Sequence, residues 1–146
     1  MVNSTVNDTP VTAETANQRL AEVFAPWIQA LQLQVEHIDS DEVIIRLPYG
    51  DKLCRSHQII CGQALMALID TCMVFVCYGA QGKYINCTTV SQNTSFMRPV
   101  IGQDVIATGR ALKSGRQLVF GEVSLTTPAD DQVVCAGTST YMILPD

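Results

Sequence analysis

The apolar and polar positions along the chain predict, in order, a short helical region, a β-hairpin, one long apolar helix and a series of strands. Residues 1–10 are polar and rich in Asn, Thr and Ser, which predicts a disordered tail before a single domain over residues 11–146. Apolar side chains then recur at spacings of three and four, as in an amphipathic helix. These positions are Leu20, Val23, Phe24, Trp27 and Leu31.

Local signals refine the prediction for this first helix. Thr12 can cap its start, but Thr15 occupies the position where a capping box prefers Glu or Gln, so an incomplete capping box is expected. Pro26 predicts a break or kink, because proline lacks the N–H that a helix interior needs. Phe24 and Trp27 are interpreted as packing residues.

Alternating apolar and polar residues predict the strands. Two strands, over 33–38 and 43–47, should form a hairpin, and the mixed polar residues 51–60 should form a loop. Further strands are expected over 84–96, 104–112, 117–126 and 132–144, with turns at 113–116 and 128–131. Because short turns join the last three strands, these should form an antiparallel meander.

Between the hairpin and the later strands lies an apolar run, 59–80, that contains a single charged residue, Asp70. The run predicts a helix over 62–78 that ends near Gly79 and Gly82. An ionised carboxylate in an apolar helix is costly unless it has partners or a task, and burial can move the pKa of a carboxylate toward the range of a general base. Asp70 is therefore the first candidate for chemistry.

The run approaches the length of a transmembrane helix, so this alternative must be weighed. Asp70 would lie near the middle of the bilayer at a cost of roughly 2.5–3.5 kcal/mol. No cluster of Lys or Arg flanks the run. The sequence instead predicts a helix covered on most faces by an antiparallel sheet that curls around it, in an α+β domain.

Composition narrows the classes of function. The chain has 146 residues and a net charge of −5, with nine scattered Lys and Arg, which argues against a nucleic-acid partner. Six cysteines without a Cys-x-x-Cys pair, and only two histidines, do not form a pattern typical of a metal site. Cys72 and Cys77 are interpreted as small buried apolar residues. The N-terminal residues lack the apolar segment of a secretion signal, so we expect a cytoplasmic protein with free thiols and no membrane partner.

Several local strings occur in the order found in one enzyme family. Cys-Gly-Gln at 61–63 is followed by Asp-Thr at 70–71, the segment 90–99 ends in Phe-Met-Arg-Pro, and turn residues follow at 102–104 and 113–116. Together they resemble the hotdog-fold thioesterases, specifically the phenylacetate-pathway (PaaI-like) group, over most of the chain. The resemblance implies an antiparallel β-sheet wrapped around a long central α-helix. It also implies hydrolysis of an acyl-CoA thioester with no cofactor beyond the coenzyme A of the substrate.

The resemblance assigns roles to individual residues. The family helix begins His-Gly-Gly, with a catalytic Asp eight residues after the first Gly, and these positions correspond to Gly62 and Asp70. Gly62 would bind the oxyanion through its backbone N–H, and Asp70 would act as a general base or as a nucleophile that forms an anhydride. Thr89 would hold the water or orient the carboxylate. Arg55 replaces a family amide seven residues before the glycine, and would assist the oxyanion or bind a charged acyl group.

Departures from the family pattern leave alternatives open. Cys61 stands in place of the family His, and Gln63 in place of the second Gly, both beside the expected substrate site. Cys61 is also a candidate nucleophile, because thiol pKa values fall at helix N-termini. His57 is a candidate acid or base of a hotdog enoyl-CoA hydratase or dehydratase, and a non-catalytic acyl-CoA-binding protein is a further alternative. The phosphates of coenzyme A would need cations, for which the candidates are Arg98, Lys113 and Arg116.

The spacing of Gly62 and Asp70 predicts an oligomer. Eight residues of helix separate their backbones by roughly 12 Å, so one thioester group cannot contact both residues of the same chain. A C₂ dimer with antiparallel central helices would bring Gly62 of one chain toward Asp70 of the other. We therefore expect a homodimer with shared sites, and expect two such dimers to form a tetramer.

Overall fold

The computed structural model describes residues 8–146, and residues 1–7 of the predicted tail lie outside the described part of the chain. The helices are α1 (Ala13–Glu22), α2 (Pro26–Gln29) and α3 (Gly62–Gln81). The strands are β1 (Gln34–Ile38), β2 (Val43–Leu47), β3 (Cys54–Arg55), β4 (Ile59–Ile60), β5 (Cys87–Phe96), β6 (Val105–Ser114), β7 (Leu118–Thr127) and β8 (Asp130–Ile143). The fold class is α+β, as predicted.

Six of the strands form one antiparallel sheet in the order β1-β2-β6-β7-β8-β5. The hairpin of β1 and β2 and the meander of β6, β7 and β8 both have the predicted pairing. Strand β5 follows α3 in the chain but pairs with β8, so it forms one edge of the sheet. Helix α3 packs against all six strands, and the sheet wraps around it in the arrangement of the hotdog fold.

Strand boundaries differ from the prediction by two residues or more in three places, one of them the start of β8 at Asp130 in place of 132. Strand β5 begins at Cys87, because Tyr84 and Ile85 bury their side chains in the core before pairing starts. Strand β6 continues through Ser114, and the turn to β7 is closed by the N–H of Gly115, which donates to the carbonyl oxygen of Leu118 at 2.8 Å. The turn is therefore tighter than the sequence indicates.

Helix α3 is the centre of the core because apolar residues cover nearly all of its faces. Six of its side chains are completely buried: Leu68, Ile69, Cys72, Met73, Phe75 and Cys77. By length and composition alone, α3 is apolar enough to cross a membrane, with a mean hydropathy of 1.6 in its most apolar window. Within the domain, however, 72% of that window is buried, as is typical of a core helix.

The end of α3 lies beyond the predicted position. The helix continues through Gly79 to Gln81, and Gly82 then ends it with a left-handed φ of +69°. Gly79 has a different role, because the turn between β1 and β2 passes close to the helix here. A Cβ at this position would lie 2.3 Å from the carbonyl oxygen of Asp39.

The first helical region breaks where proline predicts. Helix α1 ends at Glu22 and α2 starts with Pro26 at its first position, where a missing N–H leaves no hydrogen bond unmade. The prediction of an incomplete capping box is wrong. The Thr12 hydroxyl accepts the N–H of Thr15 at 3.1 Å, and the Thr15 hydroxyl accepts the N–H of Thr12 at 3.0 Å, so threonine replaces the usual glutamate.

The predicted loop over 51–60 contains short regular elements. Single 3₁₀ turns, Asp51–Leu53 and Ser56–Gln58, alternate with β3 and β4, which pair with each other. The N–H of Cys61 donates to the carbonyl oxygen of Leu53 at 2.9 Å. This segment therefore fixes the point at which α3 begins.

Gly79→Ala should destabilise the domain, although alanine favours a helix over glycine by about 1 kcal/mol. The added Cβ would meet the backbone of Asp39, which cannot rotate away as a flexible side chain can. We expect the free energy of unfolding to fall by about 1–3 kcal/mol, measured by denaturant titration. Gly50→Ala is the matched control, because its nearest contact would be Cγ of Lys52 at 4.0 Å. A gain in stability for Gly79→Ala would contradict the close approach.

Candidate functional site

Asp70 lies near the middle of α3 and is held by hydroxyl groups from two strands. The Thr89 hydroxyl on β5 donates to Oδ1 of Asp70 at 2.9 Å. The Tyr141 hydroxyl on β8 also contacts Oδ1, and it lies 2.8 Å from the carbonyl oxygen of Asp70. Within residues 8–146, no hydrogen bond reaches Oδ2 and no Lys or Arg pairs with the carboxylate. The carboxylate therefore has partners on one oxygen only.

Sequence reasoning missed Tyr141, although its partner Thr89 was identified. Thr89 and Tyr141 are directly paired across β5 and β8, so both side chains reach the same point of α3. Tyr141 is 1% exposed, and burial together with the neighbouring carboxylate raises the pKa of its hydroxyl well above the ordinary value. The hydroxyl therefore remains a donor at any physiological pH. From the sequence alone, Tyr141 is a core-facing residue of the last strand. Only the strand order shows that its side chain meets Asp70.

A cleft with a volume of 370 Å³ opens beside this carboxylate, and we call it the Asp70 cleft. Its lining is formed by Trp27, Gln63, Met66, Ala67, Asp70, Thr89 and Gln92. Asp70 is the one charged side chain in this lining. The cleft therefore offers an apolar wall next to an ionisable group.

The interpretation of Trp27 as a packing residue is wrong, whereas that of Phe24 is confirmed. Phe24 stacks on Phe75 of α3 with ring centroids 5.5 Å apart. Trp27 is 63% exposed and faces the Asp70 cleft. The break before Pro26 changes the direction of the side chains that follow it. The helical periodicity of the preceding residues therefore assigns Trp27 to the core-facing side, which is wrong.

Gly62 is the first residue of α3, and the helix start is uncapped. The preceding Cys61 makes no side-chain hydrogen bond to the helix. In the described part of the chain, the N–H groups of Gly62 and Gln63 have no acceptor. Free donors at the positive end of a helix are suited to bind an oxyanion.

A second cleft, of 510 Å³, surrounds this helix start, and we call it the Gly62 cleft. It is lined by Arg55, Ile59, Ile60, Gly62, Leu65, Phe96, Met97, Arg98, Pro99 and Val100. Neither Arg55 nor Arg98 forms a salt bridge within residues 8–146. The ring of Phe96 explains the small residue at 62, because a Cβ there would lie 3.3 Å from the ring edge.

Within one chain, the predicted site residues are distributed between these two clefts. Asp70, Thr89 and Gln63 line the Asp70 cleft, whereas Gly62, Arg55 and Arg98 line the Gly62 cleft. The structure therefore does not bring the proposed base and the proposed oxyanion donor together within a protomer.

The other predicted residues line neither cleft. His57 lies exposed in the turn over Ser56–Gln58 with a φ of +62°, and Cys61 is half-buried before α3. Lys113 and Arg116 flank the turn between β6 and β7 at the opposite end of α3, where Gln81 donates to the Ser114 hydroxyl at 2.7 Å. They lie roughly a helix length, about 30 Å, from Gly62.

All six cysteines are free thiols, and contact with the Cys77 thiol lowers the pKa of Cys87. Cys72 and Cys77 are buried, as predicted, and burial raises the pKa of the Cys72 thiol to about 12. Among residues 8–146, no three His, Cys, Asp or Glu side chains are grouped closely enough to hold a metal ion. Metal-free chemistry stays a prediction.

Comparison with known proteins identifies the family. Residues 57–134, more than half of the chain, match the model of the thioesterase superfamily. "Putative esterase Ta0293" of Thermoplasma acidophilum is 27% identical over 128 residues, which cover 85% of this chain and 94% of that protein.

Two solved structures show the same fold at low sequence identity. Thioesterase HI1161 of Haemophilus influenzae superposes with a TM-score of 0.82 at 16% identity, covering 95% of this chain and 94% of that one. The PaaI protein of Escherichia coli, from the phenylacetic acid degradation operon, superposes with a TM-score of 0.77 at 16% identity, covering 91% and 96%. The resemblance inferred from the sequence is thereby confirmed, and the chain belongs to the thioesterase superfamily.

Proposed function

We propose that this protein hydrolyses acyl-CoA thioesters in the cytoplasm, at sites shared between two chains. Membership of the thioesterase superfamily supports thioester hydrolysis in general. The observation that carries the finer proposal is Asp70, which is held on Oδ1 by Thr89 and Tyr141 and faces an apolar cleft. A carboxylate fixed on one oxygen keeps the other oxygen available for water or for a carbonyl carbon.

In the proposed reaction, the thioester carbonyl oxygen accepts the N–H of Gly62 from one chain. Asp70 of the second chain takes a proton from water, and the water oxygen bonds to the carbonyl carbon. The tetrahedral oxyanion stays at the start of α3 until the C–S bond breaks, and the departing sulfur takes up the proton. In the alternative scheme, the Asp70 carboxylate attacks the carbonyl carbon directly, the C–S bond breaks to release coenzyme A, and water then cleaves the mixed anhydride.

A dimer is proposed because the two clefts are incomplete separately. In the described part of the chain, β5 pairs only with β8, so its other edge is free to pair with the same edge of a second chain. An antiparallel arrangement of two α3 helices would place Gly62 of each chain near Asp70 of the other. The proposal includes a dimer of dimers as the larger assembly.

Arg98, exposed at the border of the Gly62 cleft, is proposed to bind the phosphates of coenzyme A at the mouth of that cleft. Arg98 is placed best for this role, because it follows the strand end that borders the helix start. Lys113 and Arg116 can contribute only if another chain of the assembly places them at the mouth of the Gly62 cleft. Cys61 and His57 have no assigned role, since neither lines a cleft with Asp70 or Gly62.

Asp70→Asn should lower kcat by at least about 10², the lower range for a positioned general base. The amide oxygen can still accept from Thr89 and Tyr141, so the fold should be retained. The measurement is thiol release from a panel of acyl-CoA thioesters, with thermal unfolding as a check on folding. Asp131→Asn, at the exposed start of β8, is the control and should keep full activity. Activity of Asp70→Asn within a few-fold of wild type would exclude Asp70 as base or nucleophile. If the wild-type protein binds acyl-CoA but releases no thiol, a non-catalytic acyl-CoA-binding protein would be favoured.

Gly62→Pro should abolish oxyanion binding, because proline lacks the N–H, while the first helical position tolerates proline. Cys61 already has an extended conformation, with φ −68° and ψ 150°, that suits a residue before proline. Gly62→Ala is the matched control: it adds the same contact with Phe96 but keeps the N–H, so it should retain most activity.

The shared site is tested by mixing Gly62→Pro with Asp70→Asn. Each variant is inactive alone, and a heterodimer should contain one site in which both mutated positions are native. We therefore expect part of the activity to return after subunit exchange, which mass spectrometry can verify. Exchange without recovery would mean that each chain carries its own site.

Arg55→Gln should lower kcat/KM by a similar factor for all acyl-CoA substrates if the guanidinium assists the oxyanion from the Gly62 cleft. A loss confined to dicarboxylyl-CoA would instead assign Arg55 to a charged acyl group. Arg110→Gln is the control, because Arg110 is exposed on β6 and pairs with Glu122 at 2.6 Å away from both clefts. Unchanged kcat/KM on charged and neutral thioesters would place Arg55 outside the site.

A further inference from the structure

We propose that Trp27 is the residue that selects the acyl group, and that the preferred substrates carry an uncharged apolar acyl chain long enough to reach its indole. This inference rests on the proposed function, because it assigns the acyl part of the thioester to the Asp70 cleft. Trp27 is 63% exposed in the protomer and lines that cleft opposite the helix that carries the carboxylate.

The backbone segment that carries the indole is anchored by the neighbouring residues in sequence. Phe24 stacks on Phe75, and the side chains of Ile28 and Leu31 are buried, at 9% and 7% exposed. The segment is closed by the side-chain amide of Gln29, which donates to the carbonyl oxygen of Phe24 at 2.6 Å. Trp27 is therefore a large apolar group fixed outside the core by a well-anchored segment.

The opposite wall of the cleft belongs to the same face of α3 as Asp70. Met66 and Ala67 precede Asp70 by four and three residues, which places them beside it on the helix surface. Met66 is 44% exposed, so its flexible side chain is also open to the cleft. An acyl chain that enters here would bury the indole and the thioether together while its carbonyl group lies toward the carboxylate.

The charge of the Asp70 cleft limits which acyl groups it can bind. The Asp70 cleft contains no Lys or Arg in its lining, and its one charged group is the carboxylate of Asp70. An acyl group with its own carboxylate would therefore place two like charges in a mostly apolar space. An acetyl group has only one methyl group to bury and would gain little from the apolar wall.

A binding experiment can test this without catalysis, because Trp27 is the single tryptophan of the chain. Asp70→Asn protein is titrated with octanoyl-CoA, acetyl-CoA and free coenzyme A while tryptophan emission is recorded. We expect a blue shift with octanoyl-CoA and none with acetyl-CoA or coenzyme A, whose adenine is common to all three. Equal spectra for octanoyl-CoA and coenzyme A at saturation would overturn the inference, even if thioester hydrolysis by the wild type is established.

A kinetic experiment tests the selectivity itself. Trp27→Ala should lower kcat/KM for octanoyl-CoA by about tenfold or more and leave acetyl-CoA within about twofold, the scale of discrimination expected from a hydrophobic pocket. Trp27→Phe should retain a large part of the preference. Val23→Ala is the control, because Val23 is also an exposed apolar residue, at 54%, but lies outside the cleft lining. An equal loss on both thioesters, or no loss on either, would overturn the role of Trp27 while leaving the proposed hydrolysis intact.

A non-catalytic protein would give a distinguishable result. In that case thiol release would be absent from the wild type, but the blue shift with octanoyl-CoA would still appear and Trp27→Phe would weaken octanoyl-CoA binding in calorimetry. Such a result would support acyl recognition by Trp27 and refute the hydrolysis. If Trp27→Ala does not fold, the emission of Asp70→Asn and the selectivity of Trp27→Phe decide the question.

Discussion

An ionised carboxylate halfway along an apolar helix has to be compensated by the strands that cover it. Here the compensation comes from two hydroxyl groups, those of Thr89 and Tyr141, which are cross-strand partners on β5 and β8. A shift of one residue in the register of these strands would turn both hydroxyls away from the helix. The position of Asp70, the pairing of the edge strand and the depth of α3 in the sheet are therefore fixed together.

Helix α3 carries two different polar groups at different points along its length. Its start offers backbone donors with no acceptor in the described part of the chain, and its middle offers a carboxylate with one oxygen held in place. Each arrangement lies at its own cleft, and the two clefts have no lining residue in common. A straight helix cannot bend to bring its first and ninth residues onto one small group. The proposed dimer would resolve this without any change in the fold of the protomer.

Much of the fold could be predicted from the sequence because local pattern decides it. The period of apolar residues distinguishes α3 from the strands, and the short connections of β6, β7 and β8 leave few alternatives to a meander. Gly62 and Asp70 could be identified because their spacing lies within one helix. Tyr141 could not, since it lies 71 residues from Asp70 and only the strand order brings it there.

The positions of Trp27 and of the basic residues were harder to predict from the sequence, for related reasons. The spacing of Trp27 fits a continuous helix, but the break before Pro26 moves its side chain off the core. Arg98, Lys113 and Arg116 are close in sequence, yet strand β6 carries the last two to the far end of α3. Proximity in sequence predicts proximity in space only within one element.

The uncapped start of α3 has a consequence for how this protein can change over evolutionary time. A Ser, Thr, Asp or Asn at the position of Cys61 would be expected to stabilise the helix by about 1 kcal/mol. Its oxygen, however, would compete for the positive end of the helix, where the substrate oxygen is proposed to bind. Cysteine is a weak acceptor and leaves this space open. If the proposed function is correct, selection for thermal stability and selection for turnover would therefore act in opposite directions on this single side chain.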